Sequence, residues 1–241
     1  MKNLKIINQN ELKDWADEIF KKNSFNMVDV SSKKETFRRA LASGKIYVGK
    51  EVFDLIVDIM GPNIIFSMSQ AIVRASGDGF PGYTHTDGGE GQREIRVMET
   101  SRPIAVKVMY LLSDVEGPDC GNFTVFPGSH MRPIQFNQDP PVGPNTPGAV
   151  QLTGKAGDCY IFSHALWHGP AANNSGKARK TLLYNYCQMF MRCYDFKDIP
   201  EVVEHASPRQ RRLLGDLGYD FRPGSYFYVP DDQTEIIMGA V

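Results

Sequence analysis

Along the chain, apolar residues recur first at helical spacing and then at the spacing of strands. From Asn10 to about Lys22, Leu12, Trp15, Ile19 and Phe20 share one helical face, with Asn10 placed to cap the N-terminus. Lys33 to Ala42 predicts a second helix. Val52 to Met60 predicts a third, whose broad face of Val52, Phe53, Leu55, Ile56 and Ile59 stops at Gly61-Pro62. Beyond that stop the texture changes to short β-type runs, about 64–75, 103–112, 122–126, 149–153, 158–163 and 180–191, separated by Gly, Pro and Asn. Short strands in such succession predict a mainly β sandwich or jelly roll with the N-terminal helices buttressing one sheet. Pro208 to Leu217 reads as helix again, and Tyr219 to Val229 is aromatic enough to pack back on the body.

Two connections are long for a compact domain, Gly88 to Arg102 and the proline-rich Met131 to Gly148. Loops of that length serve as functional lids or mobile excursions. No repeat or linker divides the 241 residues, so a single domain is expected: a helical part at about 1–60, a core at about 61–192 and a C-terminal extension at about 193–241. Lys and Arg number 27 against 28 Asp and Glu, a net charge of -1, which argues against nucleic acid as a partner. The N-terminal residues turn polar before a signal-peptide core is complete, and no apolar run reaches membrane-spanning length. Cys120, Cys159, Cys187 and Cys193 form no C-x-x-C pair and read as reduced thiols. A cytoplasmic protein acting on a small molecule, away from membranes, is the expectation; nothing in the pattern sets the oligomeric state.

Candidate chemistry starts from only five histidines, His85, His130, His164, His168 and His205. In an extended segment, residues two apart share a face, so His85 and Asp87 can offer an imidazole and a carboxylate to one metal ion. Alone the pair is weak, because a chain of this composition holds roughly 0.6 His-x-acid pairs by chance. A second ligand source lies at the end of the β-type run from Gly157, where either His164 or His168 completes two histidines and one carboxylate. Three protein ligands on one face leave the opposite positions open, which suits non-haem Fe(II) oxygen chemistry better than a closed structural zinc site. If the segments flanking Asn173-Asn174-Ser175-Gly176 pair as a hairpin, His168 and Arg179 fall opposite one another, whereas His164 gains no such partner. An Arg beside an open metal site can hold one carboxylate of a dicarboxylate co-substrate in its planar fork.

At this point the sequence resembles the phytanoyl-CoA dioxygenase family of Fe(II)- and 2-oxoglutarate-dependent oxygenases. The likeness runs from about Gly61 to Arg192 and rests on an ordered set: His85-Thr86-Asp87, Pro127-Gly128-Ser129-His130, Gly157-Asp158, Trp167-His168 and then Arg179. It implies a double-stranded β-helix fold, Fe(II) on His85, Asp87 and His168, and Arg179 on the distal carboxylate of 2-oxoglutarate. Gln70 falls where the family tends to place another co-substrate contact. Pro170 and Met109 depart from the pattern, standing where members often carry a serine and an aromatic contact. Halogenating relatives replace the carboxylate ligand, so Asp87 favours a hydroxylase, or a desaturating or ring-forming variant, over a halogenase. The implied reaction consumes O2, decarboxylates 2-oxoglutarate to succinate and CO2, and oxidises a substrate C–H bond.

The remaining candidates each have a plain reading beside the functional one. Trp167 is either core or substrate-lining. Arg93 and Arg96 either belong to a solvated loop with Glu90, Glu94 and Glu99 or meet an anionic substrate. Lys107 interrupts an apolar run and points either outwards or into the pocket. Tyr83 and Arg192 are further substrate-contact candidates, while His130 fits a turn, His164 fits packing and His205 fits the surface. Two competing functions are a cupin-like metalloenzyme that does not use 2-oxoglutarate and a non-catalytic jelly-roll binding protein.

Overall fold

A computed structural model describes residues 50–80, 84–88, 92, 95, 97, 100–131, 142–193 and 200–216. The elements run α1 (Lys50–Met60), β1 (Ile64–Arg74), β2 (Ala105–Leu111), β3 (Phe123–Val125), β4 (Val150–Gln151), β5 (Cys159–Ser163), β6 (His168–Pro170), β7 (Arg179–Gln188), α2 (Pro200–Val203) and α3 (Pro208–Leu213). The strands form two antiparallel sheets, a larger one in the order β1-β7-β2-β5 and a smaller one in the order β4-β3-β6.

Period-two alternation gives the larger sheet two different faces. On the outer face, α1 lays Ile56 and Met60 onto Ile64, Val106, Val108 and Tyr186. The helix ends at Gly61, whose φ of +83° is the left-handed cap conformation and whose N–H donates to the Val57 carbonyl at 2.6 Å. A Cβ at that position would lie 1.7 Å from Arg102 Nη1, the end of an exposed side chain that can swing aside, so the backbone conformation is what favours glycine. α3 adds to the same face. Ser207 and Gln210 form a capping box at its start, Arg209 lies 4.6 Å over the Phe53 ring, and Arg212 Nη2 donates to Asn63 Oδ1 at 2.6 Å.

The inner face looks at the smaller sheet. One row across it runs Met68, Asn185, Lys107, Phe162, and the next runs Gln70, Leu183, Met109, Tyr160. Met68, Met109, Phe162 and Leu183 close on Phe123 and Val125 of β3, which makes the interior of a sandwich.

The expected strands are present within a few residues, with the run at 149–153 reduced to two-residue β4. The hairpin expected between His168 and Arg179 does not form. β6 pairs with β3, setting His168 opposite Val125, while Arg179 opens β7 opposite Arg74 in the other sheet. Residues 171–178 cross between the sheets instead of turning within one. Fully buried Asn173 secures the crossing by donating from Nδ2 to the carbonyls of Arg74 and Lys177, both at 2.9 Å. The helices expected at 10–22 and 33–42 and the packing of Tyr219 to Val229 lie outside the described residues.

Candidate metal centre

Backbone pairing assembles the site. His85 donates its N–H to the His168 carbonyl at 2.8 Å and accepts from the His168 N–H at 2.9 Å, so the His-x-Asp segment lies beside β6. The Asp87 N–H then donates to the His164 carbonyl at 2.9 Å. One ligand atom from each of His85, Asp87 and His168 falls within 4.8 Å of the others. Asp87 Oδ1 lies 3.6 Å from His85 Nε2 and 3.9 Å from His168 Nε2.

Second contacts fix the donor atoms. His168 Nδ1 is 2.9 Å from the Leu166 carbonyl, an acceptor only, so that nitrogen carries the proton and Nε2 turns its lone pair to the centre. Phe123 and Phe162 pack on the ring at 5.1 Å each. Burial, opposed by the Asp87 charge, pushes His168 down to about 4, so it is a neutral donor at neutral pH. For Asp87, burial works upwards, but the neighbouring imidazoles and the Lys107 ammonium reverse it and hold the carboxyl well below the usual range. Lys107 Nζ sits 2.5 Å from Oδ1. Buried Oδ2 has no hydrogen-bond partner among the described residues. Two imidazole nitrogens and a carboxylate with an oxygen to spare fit a divalent first-row metal with open coordination positions.

A second charged feature faces the same interior from the larger sheet. Arg179 is 6% exposed, donates from Nε to the Gly121 carbonyl and from Nη1 to Thr181 Oγ1, both at 2.8 Å, and has no ion-pair partner among the described residues. Burial and the adjacent Arg74 charge push it down to about 10, which leaves it charged at neutral pH. A buried cation without a counter-ion is costly in an isolated chain and useful where an anionic ligand enters. The Tyr160 hydroxyl nearby is buried with no partner among the described residues.

The structure therefore unites His85, Asp87, His168 and Lys107, the last pointing inwards, and it places Arg179 in the same inter-sheet space. Gln70 is exposed on edge strand β1, in the row of Leu183 and Met109. Trp167, at 2% exposure, packs with Phe126 and Val142. Arg192 is exposed past the Gln188 end of β7, and no hydrogen bond or ion pair joins it to the three ligand candidates. Tyr83, Arg93 and Arg96 lie outside the described residues. His164 is not in the ligand group; its ring nitrogens face the carbonyls of Ala105 at 3.3 Å and Ile95 at 2.9 Å. The Pro-Gly-Ser-His turn has a structural task, since Ser129 Oγ accepts the Trp167 N–H at 2.9 Å beside the His168 strand. Sequence reasoning missed Thr181 and Gly121, the partners of Arg179. Period-two spacing from Arg179 marks Thr181; nothing local marks Gly121.

Comparison with solved structures adds the fold's relatives. Apo HygX from Streptomyces hygroscopicus aligns with a TM-score of 0.53 at 13% identity, covering 77% of this chain and 80% of that one. HygX with nickel, 2-oxoglutarate and hygromycin B bound aligns at 0.48 and 16% identity over 60% of this chain; the match spans 64% of that chain, less than two thirds of its length. AviO1 from Streptomyces viridochromogenes Tue57 aligns at 0.48 and 17% identity over 74% of this chain and 83% of that one. The first of these supports the jelly-roll architecture read from the two sheets. The phytanoyl-CoA dioxygenase (PhyH) family model matches residues 5–181, a span that holds all three ligand candidates and Arg179, and the chain belongs to that family.

Proposed function

We propose that the protein is a non-haem Fe(II)- and 2-oxoglutarate-dependent oxygenase that hydroxylates a small molecule, with His85, Asp87 and His168 as the metal ligands. The observation that carries this reading is the pairing of two features in one interior: a His-Asp-His group within 4.8 Å, and a buried arginine with no ion-pair partner among the described residues. Family membership supplies the chemistry they fit. Bound iron with O2 and 2-oxoglutarate supplies the oxidising power for a C–H bond, with succinate and CO2 as co-products.

The chain's own residues do the positioning. His168 Nδ1 gives its hydrogen bond to Leu166 and so keeps Nε2 aimed at the metal. Asp87 as third ligand leaves no position for a halide, which supports hydroxylation over halogenation. Arg179 fits the distal carboxylate of the co-substrate, its guanidinium held in plane by Gly121 and Thr181. Phe123, Phe162 and Leu183 line the interior with apolar surface and limit water.

Anaerobic addition of Fe(II) and 2-oxoglutarate tests the reading. It expects a visible metal-to-ligand charge-transfer band in the wild type that Asp87→Ala and His168→Ala lack. A wild type without the band, or variants that keep it, sinks it. A succinate-release screen across amino acids, acyl thioesters, terpenoids and polyketides then searches for the substrate class.

A further inference from the structure

We infer that Lys107 is an anion-binding residue of the metal centre, whose ammonium sets the local charge so that a dianionic 2-oxo acid and a divalent metal are held together more readily than the metal alone. The inference rests on the proposed function and deepens it. Lys107 stands in the middle of β2, between Asn185 of β7 and Phe162 of β5, on the face turned to the smaller sheet. Its side chain and that of Asp87 are each 11% exposed, and Nζ lies 2.5 Å from Oδ1, the oxygen that also faces both imidazoles. No second carboxylate pairs with Lys107 among the described residues. Asn185, its neighbour across the strands, turns its amide to Ser67 Oγ at 2.6 Å and leaves the ammonium to Asp87.

Formal charge then decides what the site favours. With metal-bound imidazoles uncharged, Asp87, Lys107 and Arg179 sum to one positive charge, so a divalent metal alone leaves three positive charges in a buried space and a dianion lowers them to one. Without Lys107 the metal meets one positive charge fewer and the dianion is drawn by one fewer, a change that helps the metal and costs the anion. The lysine therefore opposes the metal and favours the anion, and binding of one promotes binding of the other. A purely structural lysine would only brace Asp87, and its loss would weaken both ligands or neither.

The test measures Co(II) affinity by titration with and without 2-oxoglutarate, and 2-oxoglutarate affinity on the anaerobic Fe(II) enzyme from the charge-transfer band. Lys107→Met is expected to bind Co(II) alone about tenfold more tightly and 2-oxoglutarate at least about tenfold more weakly, with Lys107→Arg near wild type for both. Lys107→Gln keeps a donor for Asp87 while removing the charge, and it carries the test if Lys107→Met does not fold. Weakening of both ligands, or unchanged affinities with a normal band, overturns the inference and leaves the proposed function standing. Absence of the band in the wild type sinks the proposed function instead.

Discussion

The two faces of the larger sheet are made by the same strands, residue alternating with residue, yet they obey different rules. The outer face, under α1, gathers Ile64, Val106, Val108, Tyr184 and Tyr186, side chains that a folding argument explains by burial alone. On the inner face Lys107, Arg179, Thr181 and Asn185 interrupt Met68, Met109 and Leu183. Apolar substitutes would pack there with less desolvation cost, so the polar set is not there for stability. Where a sheet departs from the cheaper solution on one face only, the departure marks the working site.

Substitutions that separate function from stability test this contrast. The largest expected effect is Asp87→Ala, which removes the carboxylate from the three-ligand group and should lower 2-oxoglutarate turnover at least ~1000-fold, a loss of about 4 kcal/mol in the transition state. Succinate release measured at saturating iron checks it; a variant within tenfold of wild type breaks the assignment. On the other face, Ile56→Ala truncates a side chain that is 0% exposed and should destabilise the protein by about 2–5 kcal/mol in urea melts. Its KM for 2-oxoglutarate should stay at the wild-type value per folded molecule.

Arg179→Met falls between these two. It should weaken 2-oxoglutarate binding by about 100-fold, near 2.7 kcal/mol, through the lost charge-assisted contacts. Its melting temperature should hold or rise, because an unpaired buried cation is removed. Thermal melts beside 2-oxoglutarate titrations decide it, and a large drop in melting temperature with unchanged affinity makes Arg179 a structural residue.

Much of this contrast was legible in the sequence, and its limits have physical causes. α1 and the long strands announce themselves by period, since an apolar stripe must be buried wherever the chain goes. The three ligand candidates stand out in the sequence by type and order. The turn chemistry of Asn173 to Gly176 predicts a hairpin between His168 and Arg179, and the crossing between sheets leaves no mark because β6 has only three residues and its neighbours carry ordinary turn chemistry. Lys107 stayed ambiguous for another reason. Ala105 to Leu111 is buried on both faces, so the run lacks the polar alternation that would say which side meets the site.

The smallest expected effect comes from pH, and it divides the two faces by direction. His168 is held at about 4 in the folded chain against 6.5 in a free one. Between those values the unfolded state binds the extra proton, so stability of the metal-free protein falls as pH drops, by about 2 kcal/mol at pH 5. The outer face behaves oppositely. Burial raises Tyr184 to about 12 from 10.0, so between those values the unfolded state has lost a proton that the folded state keeps, and stability falls as pH rises. Urea melts of the metal-free protein across both ranges should show the two limbs. His168→Gln should flatten the acid limb alone, and Tyr184→Phe should soften the alkaline limb alone. If one substitution moved both limbs, the faces would be titrating as a single unit, and the division between a stabilising face and a working face would fail.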